Sequence, residues 1–209
     1  TGSLTGEDQI YNSAFKQAGI IRVKTFREFL ELPKIFASQP PPKGNRIAII
    51  TITGAGGIVA IVTAVESGLS LAELSTKSLD KLAKIFPAMA SNPIDIGPAM
   101  VVVDYFSVYK ETMDIILSDS NVDCVAISVW AGTLLGLQQS YIEMFGELKK
   151  NLSKPVAIWI YGAKLPIIHE LSRRLENLGF PVYSDFETTI RAIGAMSKYH
   201  ERLKRLNPT

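Results

Sequence analysis

Cysteine and histidine are nearly missing: Cys124, His169 and His200 are all that 209 residues contain. A lone cysteine excludes an internal disulfide framework and a paired-cysteine zinc site. Two histidines leave little for metal chemistry. Long apolar runs are missing too. The stretch from Arg46 to Ala64 is broken by Thr51, Thr53 and three glycines, too interrupted to span a bilayer. Charge of one sign is scarce, because 22 Lys and Arg offset 20 Asp and Glu to leave a formal net charge of +2. That gives no field strong enough to argue for nucleic acid. No basic-plus-apolar leader follows Thr1. These absences predict a reduced, cytoplasmic, soluble protein that is open to being a fragment. What is present is a globular composition, 47% hydrophobic and 20% charged with 15 Gly and 11 Pro. The length suits one or two domains.

The clearest boundary is residues 38–45, where Pro40, Pro41 and Pro42 favour extended geometry and predict a linker. Before it, residues 1–37 read as helix, strand, helix. Tyr11, Phe15 and Ala18 recur at helical spacing with Gly19 as the stop. Ile20 to Val23 suits a strand, and Thr25 with Glu28 forms a capping box opening a second helix that Pro33 ends or kinks. So little chain cannot fold alone; it reads as the tail of another domain, docked on its neighbour.

From Arg46 to the end, residues 46–209 alternate strands and helices. The strands are Ile47 to Ile50, Leu69 to Leu74, Cys124 to Trp130, Val156 to Ile160 and Pro181 to Tyr183. Ile58, Ile61, Val62 and Val65 mark the first helix, ended by Gly68. Ser75 caps a helix to about Ile85, and Asn92 to Pro98 is a Pro/Gly-rich connection. Further helices follow around Phe106 to Ile116, Tyr141 to Lys150 and Ile168 to Leu178, with a capped last one over Ser184 to Tyr199. Five short strands between helices predict a doubly wound, flavodoxin-like parallel sheet.

In such sheets ligands sit beyond the carboxyl ends of the strands. The turn Thr51-Ile52-Thr53-Gly54-Ala55-Gly56-Gly57 opens a helix there, and its bare N–H groups suit an anion or phosphate. It lacks the Lys-Ser/Thr ending of a P-loop. Gly54 and Gly56 fit the start of a dinucleotide fingerprint, but Val59 stands at its third glycine. Glu73 is at a tolerable distance for a ribose partner, and a ligand-free tight turn also stays open. Asn92 and Asp95, around Pro93, suit an Asx-type turn. Trp130, Ala131, Gly132 and Thr133 leave a strand, where the small residues admit close backbone approach, or Trp130 closes the core. Cys124 reads as a buried, inert thiol. His169, beside Glu170, has no Ser or Cys constellation. Lys198, Arg202, Lys204 and Arg205 read as a solvated helix face.

Over nearly its whole length the chain resembles the NDP-forming acyl-CoA synthetases, relatives of succinyl-CoA synthetase. Thr1-Gly2-Ser3-Leu4-Thr5-Gly6 and Ala14 to Val23 are similar to the end of that family's first ligase domain. Gly44 to Thr51 is similar to the start of the second. Gly68-Leu69, Leu74-Ser75, Asn92-Pro93-Ile94-Asp95 and Gly179 to Tyr183 follow in order. The resemblance implies an acid–CoA ligase that couples acyl-CoA cleavage to NTP formation through a phosphohistidine. It implies that the histidine immediately precedes Thr1, and that His169 and His200 do not replace it. Thr53, Gly54, Ala55, Gly56 and Gly57, with Trp130, Ala131 and Gly132, would then bind phosphate, and Asn92 and Asp95 would form a structural turn nearby. No catalytic residue and no metal ligand falls within the chain.

The complete enzyme would use CoA, phosphate and NTP or NDP with magnesium, none bound by this chain alone. Its partners would be the missing CoA-binding domain, the rest of the first ligase domain and an ATP-grasp domain or subunit, in a homo- or hetero-oligomer. The chain departs from the family at Ile52, where Asn is usual, and at Val62, where Asp is usual. Its Gly54-Ala55-Gly56-Gly57 also replaces Gly-Gly-Pro-Gly. Those departures motivate a rival reading as a non-catalytic regulatory or assembly module. A nucleotide-binding α/β domain using Glu73 is a third.

Overall fold

The computed structural model describes residues 8–132 and 137–206. Thr133 and the motif starting at Thr1 lie outside them. An amino-terminal arm holds α1 (Asp8–Gln17), α2 (Phe26–Glu31) and α3 (Pro33–Ser38). The capping box forms as its spacing predicts: Glu28 N donates to Thr25 Oγ1 at 3.1 Å, and Lys24 N donates to the Glu28 carboxylate at 2.8 Å. Pro33 ends one helix and starts the next, because its fixed φ suits a first helical position. The strand expected at Ile20 to Val23 does not form. Ile20 and Ile21 are exposed, and no strand among the described residues pairs with them. A strand needs a partner for its N–H and C=O groups.

The segment read as a linker lies against the body rather than free of it. Gln39 is buried; its amide NH2 donates to Gly179 O, and its Oε1 accepts Val156 N at 2.8 Å. Leu32 and Ile35 are buried beside Tyr183, Ile190 and Ile193.

The sheet contains β1 (Arg46–Thr51), β2 (Ser70–Leu71), β3 (Ile94–Asp95), β4 (Cys124–Trp130), β5 (Val156–Tyr161) and β6 (Val182–Tyr183). Every pairing is parallel, and the order is β2-β1-β4-β5-β6 with β3 also on β1. Five strand positions thus hold six pieces. β2 pairs with Arg46 and Ile47, while β3 pairs with Ile50 and Thr51 on the same edge. Two expectations are corrected here: the second strand stops at Leu71, and the Pro/Gly-rich connection contains β3. The cause is Asn92, whose side chain occupies the gap. Its Oδ1 accepts Ile49 N at 3.0 Å, and its Nδ2 donates to Ile47 O and Ala72 O at 2.9 and 3.0 Å.

The remaining helices are α4 (Gly54–Glu66), α5 (Thr76–Ile85), α6 (Tyr105–Ser118), α7 (Leu137–Lys150), α8 (Leu165–Asn177) and α9 (Phe186–Leu206). Alternation along β1 and β4 divides the core. Ala48, Ile50, Val125 and Ile127 face residues of α5 to α8. Ile47, Ile49, Cys124 and Ala126 face α4 and α9. The last helix runs past Tyr199, and Asp185 caps it by accepting Thr188 N at 2.6 Å.

In α4 the large side chains point the other way from a simple periodic reading. Ile58, Val62 and Val65 are exposed, while Gly57, Ala60, Thr63 and Ala64 are buried. Close approach of α9 explains this, since a Cβ built on Gly194 would stand 2.6 Å from Ser67 Cβ. Gly68 ends α4 in the left-handed region, φ 76°, letting Leu69 N reach Ala64 O at 2.9 Å. Among the described residues no helix is long and apolar enough to cross a membrane, and no three His, Cys, Asp or Glu gather to hold a metal ion.

Candidate functional site

Successive helices leave the sheet on opposite faces at β1 and β4, because α4 covers one side and α7 the other. The carboxyl ends of these strands therefore border the crevice where doubly wound sheets bind ligands. The glycine turn after β1 stands at that place.

Thr53 is the N-cap of α4, its Oγ1 accepting Gly56 N at 3.0 Å. Gly57 N donates to Thr53 O at 3.1 Å. The amides of Gly54 and Ala55 have no acceptor among the described residues. Thr53, Gly54 and Ala55 are exposed, so those donors meet solvent. Thr51 braces the bend: its Oγ1 donates to Thr53 O at 2.9 Å and accepts Thr53 N at 3.2 Å. A Cβ on Gly56 would lie 2.9 Å from Thr51 Oγ1 and 3.0 Å from Thr53 Oγ1, so a side chain here would press on the two hydroxyls that hold the bend. The turn can offer unpaired N–H groups and a helix dipole to an oxyanion.

Asp95 borders the same turn. Its Oδ1 accepts Gly97 N at 3.0 Å, closing the Asx turn, and its Oδ2 would be 3.6 Å from a Cβ on Gly54. Asn92 serves the sheet, as described above. The structure thus brings Asp95 to the turn and keeps Asn92 in the ladder.

The exit of β4 is more closed than its small residues suggest. Trp130 N donates to Tyr109 Oη at 3.1 Å, and Ala131 N donates to Tyr161 O at 2.7 Å. Both amides are therefore engaged. Gly132 is buried against the Trp130 ring, which a Cβ there would overlap. Trp130 packs on Tyr105 with ring centroids 5.1 Å apart, and Tyr105 and Tyr109 continue the cluster to Tyr141. Burial raises the pKa of all three tyrosines, so their hydroxyls stay protonated. Tyr105 Oη and Tyr141 Oη have no hydrogen-bond partner among the described residues, whereas Tyr109 Oη also donates to Ser128 O at 3.1 Å.

Other candidates fall away from this end. Glu73 O accepts from Asn121 Nδ2 at 2.9 Å, beside the amino end of β4, so Glu73 is misplaced for a ribose at the glycine turn. Cys124 is fully buried, and burial followed by the nearby Asp123 charge pushes its thiol up. His169 is exposed on α8. His200 lies on α9, where burial and then Lys204 hold its pKa down. Lys204 and Arg205 occupy the exposed last turn of α9. A groove of about 610 Å³ between α6 and α7, lined by Phe106, Asp114, Met144 and Leu148, includes none of the turn residues. Sequence reasoning missed Tyr109 and Ser128, which carried only the signals of a helical core position and a strand interior.

Comparison with known proteins agrees with this architecture. A family model described as the succinyl-CoA ligase like flavodoxin domain matches residues 1–36. The chain is 33% identical over 204 residues to acetate–CoA ligase (ADP-forming) II of Archaeoglobus fulgidus, covering 97% of this chain and 30% of that protein. It is 34% identical to the alpha subunit of acetate–CoA ligase (ADP-forming) II of Pyrococcus furiosus, covering 94% and 42%. It superimposes with a TM-score of 0.79 on an acetyl-coenzyme A synthetase 1 of Ca. Korarchaeum cryptofilum in complex with phosphate and ADP. The identity there is 25%, over 100% of this chain and 45% of that one. The chain thus spans less than half the length of each of these three proteins. By sequence and by its flavodoxin-like fold, the chain is a homologue of part of the ADP-forming acetate–CoA ligases.

Proposed function

We propose that this chain is the second ligase domain, with the last part of the first, of an ADP-forming acid–CoA ligase. Residues 1–37 then close the first flavodoxin-like domain, residues 38–45 connect, and residues 46–209 form the second. In this reading the glycine turn seats the phosphoryl group of a phosphohistidine supplied by another part of the enzyme. The supporting observation is the pair of exposed, unpaired amides at Gly54 and Ala55, at the carboxyl end of β1.

The chemistry asks little else of these residues. A phosphoryl group is doubly charged, and each charge-assisted N–H bond to it contributes about 1.5–3 kcal/mol net. Thr53 fixes the turn by capping it, and Thr51 fixes Thr53. Positioning and electrostatic stabilisation supply most of the catalysis in phosphoryl transfer. Trp130, Ala131 and Gly132 contribute a wall rather than donors, their first two amides being bonded within the domain.

The complete cytoplasmic enzyme would draw on CoA, phosphate, a nucleotide with magnesium, and an ATP-grasp partner. Exposed Phe26, Phe29 and Leu30 on the arm, with Ile58, Val62 and Val65 on α4, support further protein covering this one. The test is Gly56→Val in the full-length ligase with its nucleotide-binding partner, supplied with radiolabelled ATP. The variant is expected to lose most labelled phosphohistidine. Unchanged labelling and turnover would remove the phosphate seat and favour the non-catalytic module that Ile52 and Val62 suggest.

A further inference from the structure

Beyond the glycine turn, we propose that Tyr109 and Ser128 are positioning residues that set the turn from the far side of the crevice. The inference rests on the phosphate-seat reading above. β1 and β4 pair as far as Ile50 and Ile127. Past that point the strands part, and the groups of β4 that face β1 lose their ladder partners. Alternation puts Ser128 O and Trp130 N on that side, since Ala131 N already points to β5. Tyr109 Oη enters the gap, donating to Ser128 O and accepting Trp130 N, both at 3.1 Å. Ser128 is fully buried, and its Oγ accepts Ile52 N at 3.2 Å.

A continuous path results. The hydroxyl of Tyr109 holds the backbone of Ser128, the hydroxyl of Ser128 holds the amide of Ile52, and Ile52 immediately precedes the N-cap Thr53. Of the three clustered tyrosines only Tyr109 makes such a link, because the hydroxyls of Tyr105 and Tyr141 have no partner among the described residues. Side-chain bonds replace ladder bonds here, so on the β4 side two hydroxyl groups hold the turn. Displacing a reacting group by about 1 Å costs up to roughly a hundredfold in rate.

The test uses Tyr109→Phe and Ser128→Ala, each removing one oxygen, with Ser128→Thr as the rescue. In the 209-residue chain, both deletions are expected to speed hydrogen exchange of the Ile52 amide about tenfold or more, with the thermal midpoint measured alongside. In the full-length ligase given ADP, acetyl-CoA and inorganic phosphate, both should raise KM for phosphate about tenfold, and Ser128→Thr should restore it. Unaltered Ile52 exchange in Tyr109→Phe overturns the inference. So does an unaltered phosphate KM in both deletions while Gly56→Val still raises it. If Gly56→Val is silent as well, the phosphate-seat reading itself has failed, whatever the exchange data show.

Discussion

Asn92 Oδ1 accepts the amide of Ile49 at 3.0 Å, in the place where a neighbouring strand would present a carbonyl. One side chain thereby bridges β2 and β3 and lets both share the edge of β1. Ile49 is fully buried, so removing the acceptor leaves a donor that water does not reach. Ala72 O loses a donor at the same time. We predict that Asn92→Ala lowers the unfolding free energy by about 2–3 kcal/mol, measured by urea denaturation. A loss under about 0.5 kcal/mol, the size of a surface substitution, would show that the strand edge closes without Asn92.

Asp95 bears on the anion seat through its charge. Its Oδ1 is held by Gly97 N, and its Oδ2 borders Gly54. A carboxylate at the mouth of a helix N-terminus opposes an incoming phosphate. Asp95→Asn keeps the acceptor for Gly97 N and removes the charge. At solvent-exposed separations of several ångströms, one unit charge changes anion binding by about 1 kcal/mol. The variant is expected to lower the KM for phosphate about fivefold, with a smaller gain at high salt. A KM that rises would show that Asp95 takes part in the chemistry rather than opposing the ligand.

Much of this architecture is legible from local patterns. The capping box of Thr25 and Glu28, the N-cap at Ser75 and the stop at Gly68 are each specified within four residues. The continuous apolar run of β1 declares a strand covered on both sides. Failures occur where a distant residue decides. Ile20 to Val23 has the composition of a strand but no neighbour. β3 is two residues long, amid prolines and glycine, and pairs only because β1 is there. The large residues of α4 look like its core face, yet α9 comes so close that the smaller Ala60, Thr63 and Ala64 face inward. At the site, the turn is readable because glycines and a threonine cap are local signals. Tyr109 and Ser128 are not, since their hydroxyls act across 19 and 76 residues of sequence and both look like ordinary core positions.

Gly132 and Trp130 define a second steric test. A Cβ on Gly132 would overlap the indole ring, which rests between it and Tyr105. Gly132→Ala must therefore move Trp130. Overpacking of this kind costs about 1–3 kcal/mol. The chain has two tryptophans, so a Trp159→Phe background leaves Trp130 as the sole indole reporter. In that background Gly132→Ala is expected to shift the emission maximum and lower the thermal midpoint. Identical spectra would mean that the ring is not seated on Gly132.

The pair of Asp123 and Arg46 sets a pH dependence whose sign follows from its geometry. Asp123 Oδ2 accepts Arg46 N at 3.1 Å and Nε at 2.8 Å, while Oδ1 accepts Arg46 Nη2 at 3.0 Å. Burial works to raise the Asp123 pKa, but the Arg46 side-chain and backbone bonds outweigh it and hold the carboxyl below its ordinary value. The folded state therefore favours the ionised form more than the unfolded chain does, where the group titrates near about 3.9. The contribution to stability is complete above that value and disappears as pH falls through the lower, folded one. The Asp123 side chain is 5% exposed and that of Arg46 44%, so solvent screens one partner and the loss stays below that of a fully buried pair. We predict that Asp123→Asn costs about 2 kcal/mol at pH 7. Below pH 4 the gap to the unaltered protein should narrow, because protonation then removes from the unaltered protein the charge that the variant already lacks. Urea denaturation at pH 7, 5, 4 and 3 measures both curves. Curves that stay parallel into acid would show that the Arg46 contacts do not depend on the Asp123 charge.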